Sequence, residues 1–174
     1  MRVRIDDPDP DWPHAFEREA IAIRSILTTP PVSIEHIGST SVPGLCAKPI
    51  IDLLLEVGDV ASLDAEPLER LGYERMGEFG IPGRRYFRKG ALVRTHHLHA
   101  FATGDPGLLR HRAFRDYLRA HPDVARAYGD LKRSLASRNV EIEAYMDGKH
   151  DFVQHHERLA LAWIAQHPSA KRSR

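Results

Sequence analysis

The stretch Ile34-Glu35-His36-Ile37-Gly38-Ser39-Thr40-Ser41-Val42-Pro43-Gly44-Leu45-Cys46-Ala47-Lys48-Pro49-Ile50-Ile51-Asp52 reads as two strands joined by a polar, glycine-bearing connection. A short apolar run ends in Gly38-Ser39-Thr40-Ser41. A Pro43-Gly44 turn and Lys48 follow, and a second apolar run carries Asp52. Strands joined in this way bring hydroxyls, backbone amides, a cation and a carboxylate to one strand end. Gly38 permits close approach to the backbone. Exposed amides there can hold phosphate oxygens, especially if Ser41 to Leu45 starts a helical turn. The connection is not a phosphate loop of the Gly-Lys-Ser/Thr type. It is not a nucleophile elbow either, since no Gly-x-Ser-x-Gly is present. From spacing alone, a plain structural turn is the competing reading.

The pattern extends outward on both sides. Asp11-Trp12-Pro13 marks a helix entrance, with proline preset for the first turn. Phe16, Ala20, Ile23 and Leu27 recur at helical spacing, and Thr28-Thr29-Pro30-Pro31 ends that helix. Val32 to Ile37 is expected as a strand. Pro49 to Val57 is expected as a central strand buried on both faces. Asp59 to Leu71 reads as a helix that Pro67 could break. Gly77 to Gly83 reads as a loop. Arg85 to Arg88 and Ala91 to Phe101 read as a hairpin turning at Lys89-Gly90. From Pro106 onward the period is helical. Val124, Tyr128, Leu131 and Leu135 mark one helix, and Ile142, Tyr145, Phe152, Leu159 and Trp163 mark one or two more. Strands first and a helical C-terminal half give an α/β or α+β class. The expected layout is one domain over residues 1–167 and a flexible basic tail over 168–174.

Apolar residues make up 42% of the 174, enough for a substantial core. The net charge is +1, and Lys171, Arg172 and Arg174 in the tail supply three of the positives. The body is therefore not broadly basic, and no DNA partner is expected. Cys46 is the single cysteine, so no disulfide can form within the chain. The start of the chain is too polar for a secretory signal, and no run approaches the roughly 20 apolar residues of a membrane span. A cytoplasmic protein with no membrane partner is expected.

Three further groups carry chemistry. On a strand, Asp52, Leu54 and Glu56 share one face. A carboxylate in so apolar a run is costly unless paired or metal-bound, so Asp52 is either functional or part of a buried ion pair. In Thr95-His96-His97-Leu98-His99, His97 and His99 face one way, a common metal-ligand spacing. With Asp52 they would complete a two-His, one-carboxylate set. They could instead contact phosphate, or make core hydrogen bonds. Arg84, Arg85, Arg115, Arg119 and Lys132 complete the set. Arginine suits phosphate through its bidentate fork, although each could be a solvated surface charge.

These residues resemble the GrpB family, which is assigned to the nucleotidyltransferase superfamily. The resemblance rests on His36 to Leu45, Ala47 to Asp52, Leu71-Gly72-Tyr73, Arg84 to Phe87 and Thr95 to His99. It continues through Phe114 to Arg119 and Tyr128 to Lys132. It runs from about Trp12 to Phe152. A similar domain occurs fused to bacterial dephospho-CoA kinases, which implies a link to nucleotide or coenzyme metabolism. The resemblance implies a nucleotidyltransferase-like mixed sheet flanked by helices. In that superfamily a Gly-Ser after one strand holds a triphosphate, and an Asp-x-Asp/Glu pair on the next binds two divalent metals. Gly38, Ser39 and Asp52 match. Leu54 stands in place of the second acid and cannot ligate Mg²⁺. Glu56 is a displaced substitute on the same face. Imidazoles at His97 and His99 would favour Zn²⁺ or Mn²⁺ over Mg²⁺.

The resulting expectation is a nucleotidyl- or phosphoryl-transferase for a small molecule, with a nucleoside triphosphate as candidate substrate. Gly38, Ser39, Thr40, Ser41, Lys48, Arg84, Arg85, Arg115 and Lys132 would bind phosphate. Asp52, His97 and His99 would act in catalysis, and together with Glu56 would hold a divalent metal. Two alternatives are a binding module for a nucleotide or coenzyme-A-like ligand without transfer activity, and a metal-dependent hydrolase on His97, His99 and Asp52.

Overall fold

A computed structural model describes residues 3–138 and 141–168 of the chain. Residues 169–174 of the expected tail lie outside the described residues. Helix α1 spans Trp12–Ile26 with proline in its first turn, and Trp12, Phe16, Ala20 and Ile23 are buried along one face. Strand β1 (Ser33–Ile37) leads through Gly38 into a 3-10 turn at Ser39–Ser41 and then to strand β2 (Ile51–Val57).

The next helix, α2, covers only Glu66–Arg70, not the expected Asp59 to Leu71. Pro67 sits in its first turn, where a missing amide costs nothing, so proline starts this helix and does not break it. A short strand not anticipated from the sequence, β3 (Tyr73–Arg75), follows. Strands β4 (Arg85–Lys89) and β5 (His96–Ala102) form the expected hairpin. Its turn is longer than a tight Lys89-Gly90 turn. The strand resumes only at His96, with the Thr95 amide donating to the Lys89 carbonyl at 2.9 Å. Gly90 has φ +96°, and a Cβ there would collide with the Val93 carbonyl.

Three helices follow among the described residues: α3 (Pro106–Ala120), α4 (Pro122–Ser137) and α5 (Ile142–Gln166). Asp105 caps α3 by accepting from the Gly107 amide at 2.7 Å. Ile142 through Trp163 therefore form one long helix.

The five strands lie in the order β1-β2-β5-β4-β3. The central pair β2/β5 is parallel and the other pairings are antiparallel. Helix α1 covers one face, where Phe16, Ala20 and Ile23 pack on Leu53, Leu55, Leu98 and Ala100. The opposite face meets α3 through Ile37, Leu54, Phe101 and Leu108. Val42 and Leu45 pack under Leu118, Ala125 and Tyr128, which fastens the β1–β2 connection to α3 and α4. This is the mixed α/β architecture with a helical C-terminal half expected from the sequence.

Candidate functional site

The parallel register pairs Asp52 with His97 and Leu54 with His99. Alternation then turns Asp52, His97 and His99 to the face away from α1. Asp52 Oδ1 lies 3.4 Å from His97 Nδ1 and 3.2 Å from His99 Nε2. The other nitrogen of His99, Nδ1, lies 3.3 Å from the Arg84 guanidinium. Arginine only donates, so Nδ1 must accept and the ring proton sits on Nε2, pointing at Asp52. Burial lowers the His99 pKa despite the carboxylate beside it, which keeps that tautomer neutral. Burial opposes charge on Asp52, but the two imidazoles outweigh it and hold the carboxyl below the usual range. About a quarter of the Asp52 side chain, 26%, stays open.

Gly38 crosses directly over this carboxylate. Its φ is +73°, and a Cβ there would come within 2.5 Å of Asp52 Oδ2. No other residue fits both the conformation and the space. The Ser41 hydroxyl donates to the Gly38 carbonyl at 2.5 Å and closes the turn. Ser39 and Thr40 are left facing a cavity of about 460 Å³. Thr40 Oγ1 is 2.9 Å from His36 Nε2, and burial pushes the His36 pKa down to about 4, so that ring is neutral.

The cavity runs from this strand end to α4 and α5, and its charge is positive. Lys48, Arg84, Lys132 and Lys149 line it, and among the described residues none of them has a carboxylate at ion-pair distance. Arg84 is held by the carbonyls of Glu78 and Phe79 at 3.1 and 2.8 Å. Lys132 Nζ donates to the Cys46 carbonyl at 2.5 Å and stands 4.5 Å from the Tyr128 ring. Lys48 and Lys149 stand 5.6 and 5.2 Å from the Tyr145 ring. Burial pushes the Lys132 pKa down to about 7 and that of Lys149 to about 8, and it lowers that of Lys48. Arg115 also lines the cavity, but Glu35 and Asp116 neutralise it at 2.9 and 2.7 Å.

Three expected residues lie elsewhere. Ser41 holds the turn and does not face the cavity. Arg85 donates to the Arg84 carbonyl, and strand parity turns it away from the cavity-lining Tyr86. Glu56 accepts from Arg112 Nη2 at 2.6 Å, well along the strand from Asp52. Leu54 is fully buried against Ile37, Phe101 and Leu108. A carboxylate pair for two metals therefore does not fit. His97 and His99 both point at the same oxygen of Asp52, and Arg84 occupies the far side of His99. Among the described residues no three His, Cys, Asp or Glu side chains are arranged to hold an ion.

The sequence reading missed Lys149, Tyr145, Tyr86, His111 and Phe79, all of which line the cavity. Tyr145 and Lys149 are four residues apart on α5, a spacing that puts both on one helix face. Nothing along the chain shows that this face meets the strand end.

Fold and site together define a mixed α/β protein with a cation-lined cavity at the end of its central parallel strands. The model of the family described as GrpB protein matches residues 2–158, and the chain belongs to the GrpB family. It is similar to the UPF0157 protein YqkA of Bacillus subtilis, with 42% identity over 87% of this chain and 45% of YqkA. It thus spans less than half the length of that relative. A UPF0157 protein of Pseudomonas aeruginosa is 43% identical over 96% of this chain and 71% of its own length. The crystal structure of the conserved protein GrpB from Enterococcus faecalis superposes with a TM-score of 0.88 at 46% identity, covering 91% of this chain and 98% of that one. Among the described residues, no helix is long and apolar enough to cross a membrane.

Proposed function

We propose that the cavity binds a phosphate-bearing small molecule of the nucleotide class. The observation that carries this reading is the set of four cations, Lys48, Arg84, Lys132 and Lys149, that face the cavity with no carboxylate at ion-pair distance among the described residues. Buried or half-buried cations lower the stability of an empty protein. An anionic ligand would supply the missing charge, with Ser39 and Thr40 offering hydroxyls from the turn at Gly38. The turn after one strand and the carboxylate on the next support a nucleotidyltransferase-like reading of the sheet.

Nucleotidyl or phosphoryl transfer is the second reading, favoured by an ionised Asp52 beside the turn. With Leu54 buried in place of a second acid, transfer would rest on positioning and charge neutralisation by the chain's own side chains. Calorimetry with ATP, GTP and CTP, with and without Mn²⁺, tests the first reading, and pyrophosphate release tests the second. Metal-independent binding that survives Asp52→Asn selects the binding module. Pyrophosphate release by the wild type that is lost in Asp52→Asn selects transfer. No binding of any of the three nucleotides, with or without metal, sinks both.

A further inference from the structure

Phe79 is the one described residue other than glycine with a positive φ, +48°. A bulky side chain rarely adopts that conformation, and it persists only where the surroundings hold it. The Gly77–Gly83 loop is built to do so. Arg84 takes the carbonyls of Glu78 and Phe79, the Gly83 amide donates to Glu78 Oε2 at 2.6 Å, and Ile81 packs against the Ile37 and Leu54 cluster. The result is an aromatic ring that lines the cavity yet stays 55% exposed. The ring is not packed away as core. It stacks on Tyr86 with centroids 5.3 Å apart and planes 26° apart, and Tyr86 in turn lies under the Arg84 guanidinium, 4.6 Å from its ring centre.

We infer that Phe79, backed by Tyr86, is a stacking platform for a flat aromatic ring on the ligand. This inference rests on the phosphate reading and narrows it. The phosphates would lie toward the lysines of α4 and α5, and the ring would lie at the mouth formed by the Gly77–Gly83 loop. Stacking of this kind tolerates different rings, because each offers a π-face. Arg84 ties the two ends together, since it holds the loop and faces the cavity as a cation.

The test compares ATP, GTP and CTP with inorganic triphosphate by calorimetry, in the wild type, Phe79→Gly and Phe79→Tyr. Glycine removes the ring and relieves the positive φ, so Phe79→Gly keeps the fold, with an unfolding midpoint equal to or above that of the wild type. The wild type is expected to bind at least one nucleotide about tenfold more tightly than triphosphate, as base stacking supplies. Phe79→Gly is expected to lose that preference with its triphosphate affinity unchanged, and Phe79→Tyr to retain it. Nucleotide affinity unchanged in Phe79→Gly, with triphosphate still bound, overturns the platform and leaves the phosphate reading standing. Failure of both triphosphate and nucleotides to bind overturns the phosphate reading itself, and the platform with it.

Discussion

On one face of the β2/β5 pair, Leu53, Leu55 and Leu98 pack against α1. On the other, Asp52, His97 and His99 look into a cavity. The two faces treat charge differently. On the α1 side the buried Glu19 accepts from Lys89 at 2.9 Å and from the Tyr73 hydroxyl at 2.9 Å, so its charge is matched locally. On the cavity side Lys48, Lys132 and Lys149 crowd around tyrosine rings, and among the described residues none has a carboxylate at ion-pair distance. Alternation along two adjacent strands separates a face packed on α1 from a face that looks into the cation-lined cavity.

Substitutions on the two faces should therefore differ in kind. Leu53→Ala on the α1 face is expected to cost about 2–5 kcal/mol of stability in urea unfolding, because it leaves a cavity in the packed core. Gly38→Ala on the other face is expected to cost less, about 1–3 kcal/mol, since the positive φ strains any other residue. It should also displace the Asp52 carboxylate that lies against it. An equal loss for the two variants would break the distinction between the faces.

The smaller effect is a dependence on pH. Lys132 and Lys149 have pKa values lowered by burial to about 7 and about 8. Between those values and about 10.4, an unfolded lysine holds a proton that the folded one has released. The unfolded state then binds more protons, so the stability of the ligand-free protein should rise with pH from about 7 to about 10. Affinity for an anion should move the opposite way, weakening as the lysines lose charge above pH 7. Thermal unfolding with and without triphosphate across this range checks both signs. A ligand-free stability that falls over the same range would show that the lysines are not desolvated.

The central architecture was legible because two strands carried their meaning in one period. Asp52 amid apolar neighbours and His97 and His99 two apart had to share a face, and parallel pairing placed them side by side. The set of cavity-lining residues was legible only in part. Arg84 and Arg85 are adjacent in sequence, and which one enters the cavity depends on where β4 begins, a boundary that composition does not mark. Ser41 resembles Ser39 and Thr40, but its hydroxyl is used to close the turn. Glu56 shares the parity of Asp52, yet it lies toward the other end of β2 and meets Arg112. Lys149 enters through the docking of α5, a contact set by packing between distant segments and not by any local pattern.

The most direct measurement is calorimetric titration of the wild type and of Lys149→Met with inorganic triphosphate at pH 7. Lys149 is half-buried and makes no ion pair among the described residues, so its replacement should leave the unfolding midpoint unchanged or raise it. The expected result is binding by the wild type and an affinity about tenfold weaker in the variant, the scale of one lost charge-assisted hydrogen bond. Absence of binding in the wild type, or an affinity unchanged by Lys149→Met, would contradict the assignment of the unmatched cations to an anionic ligand.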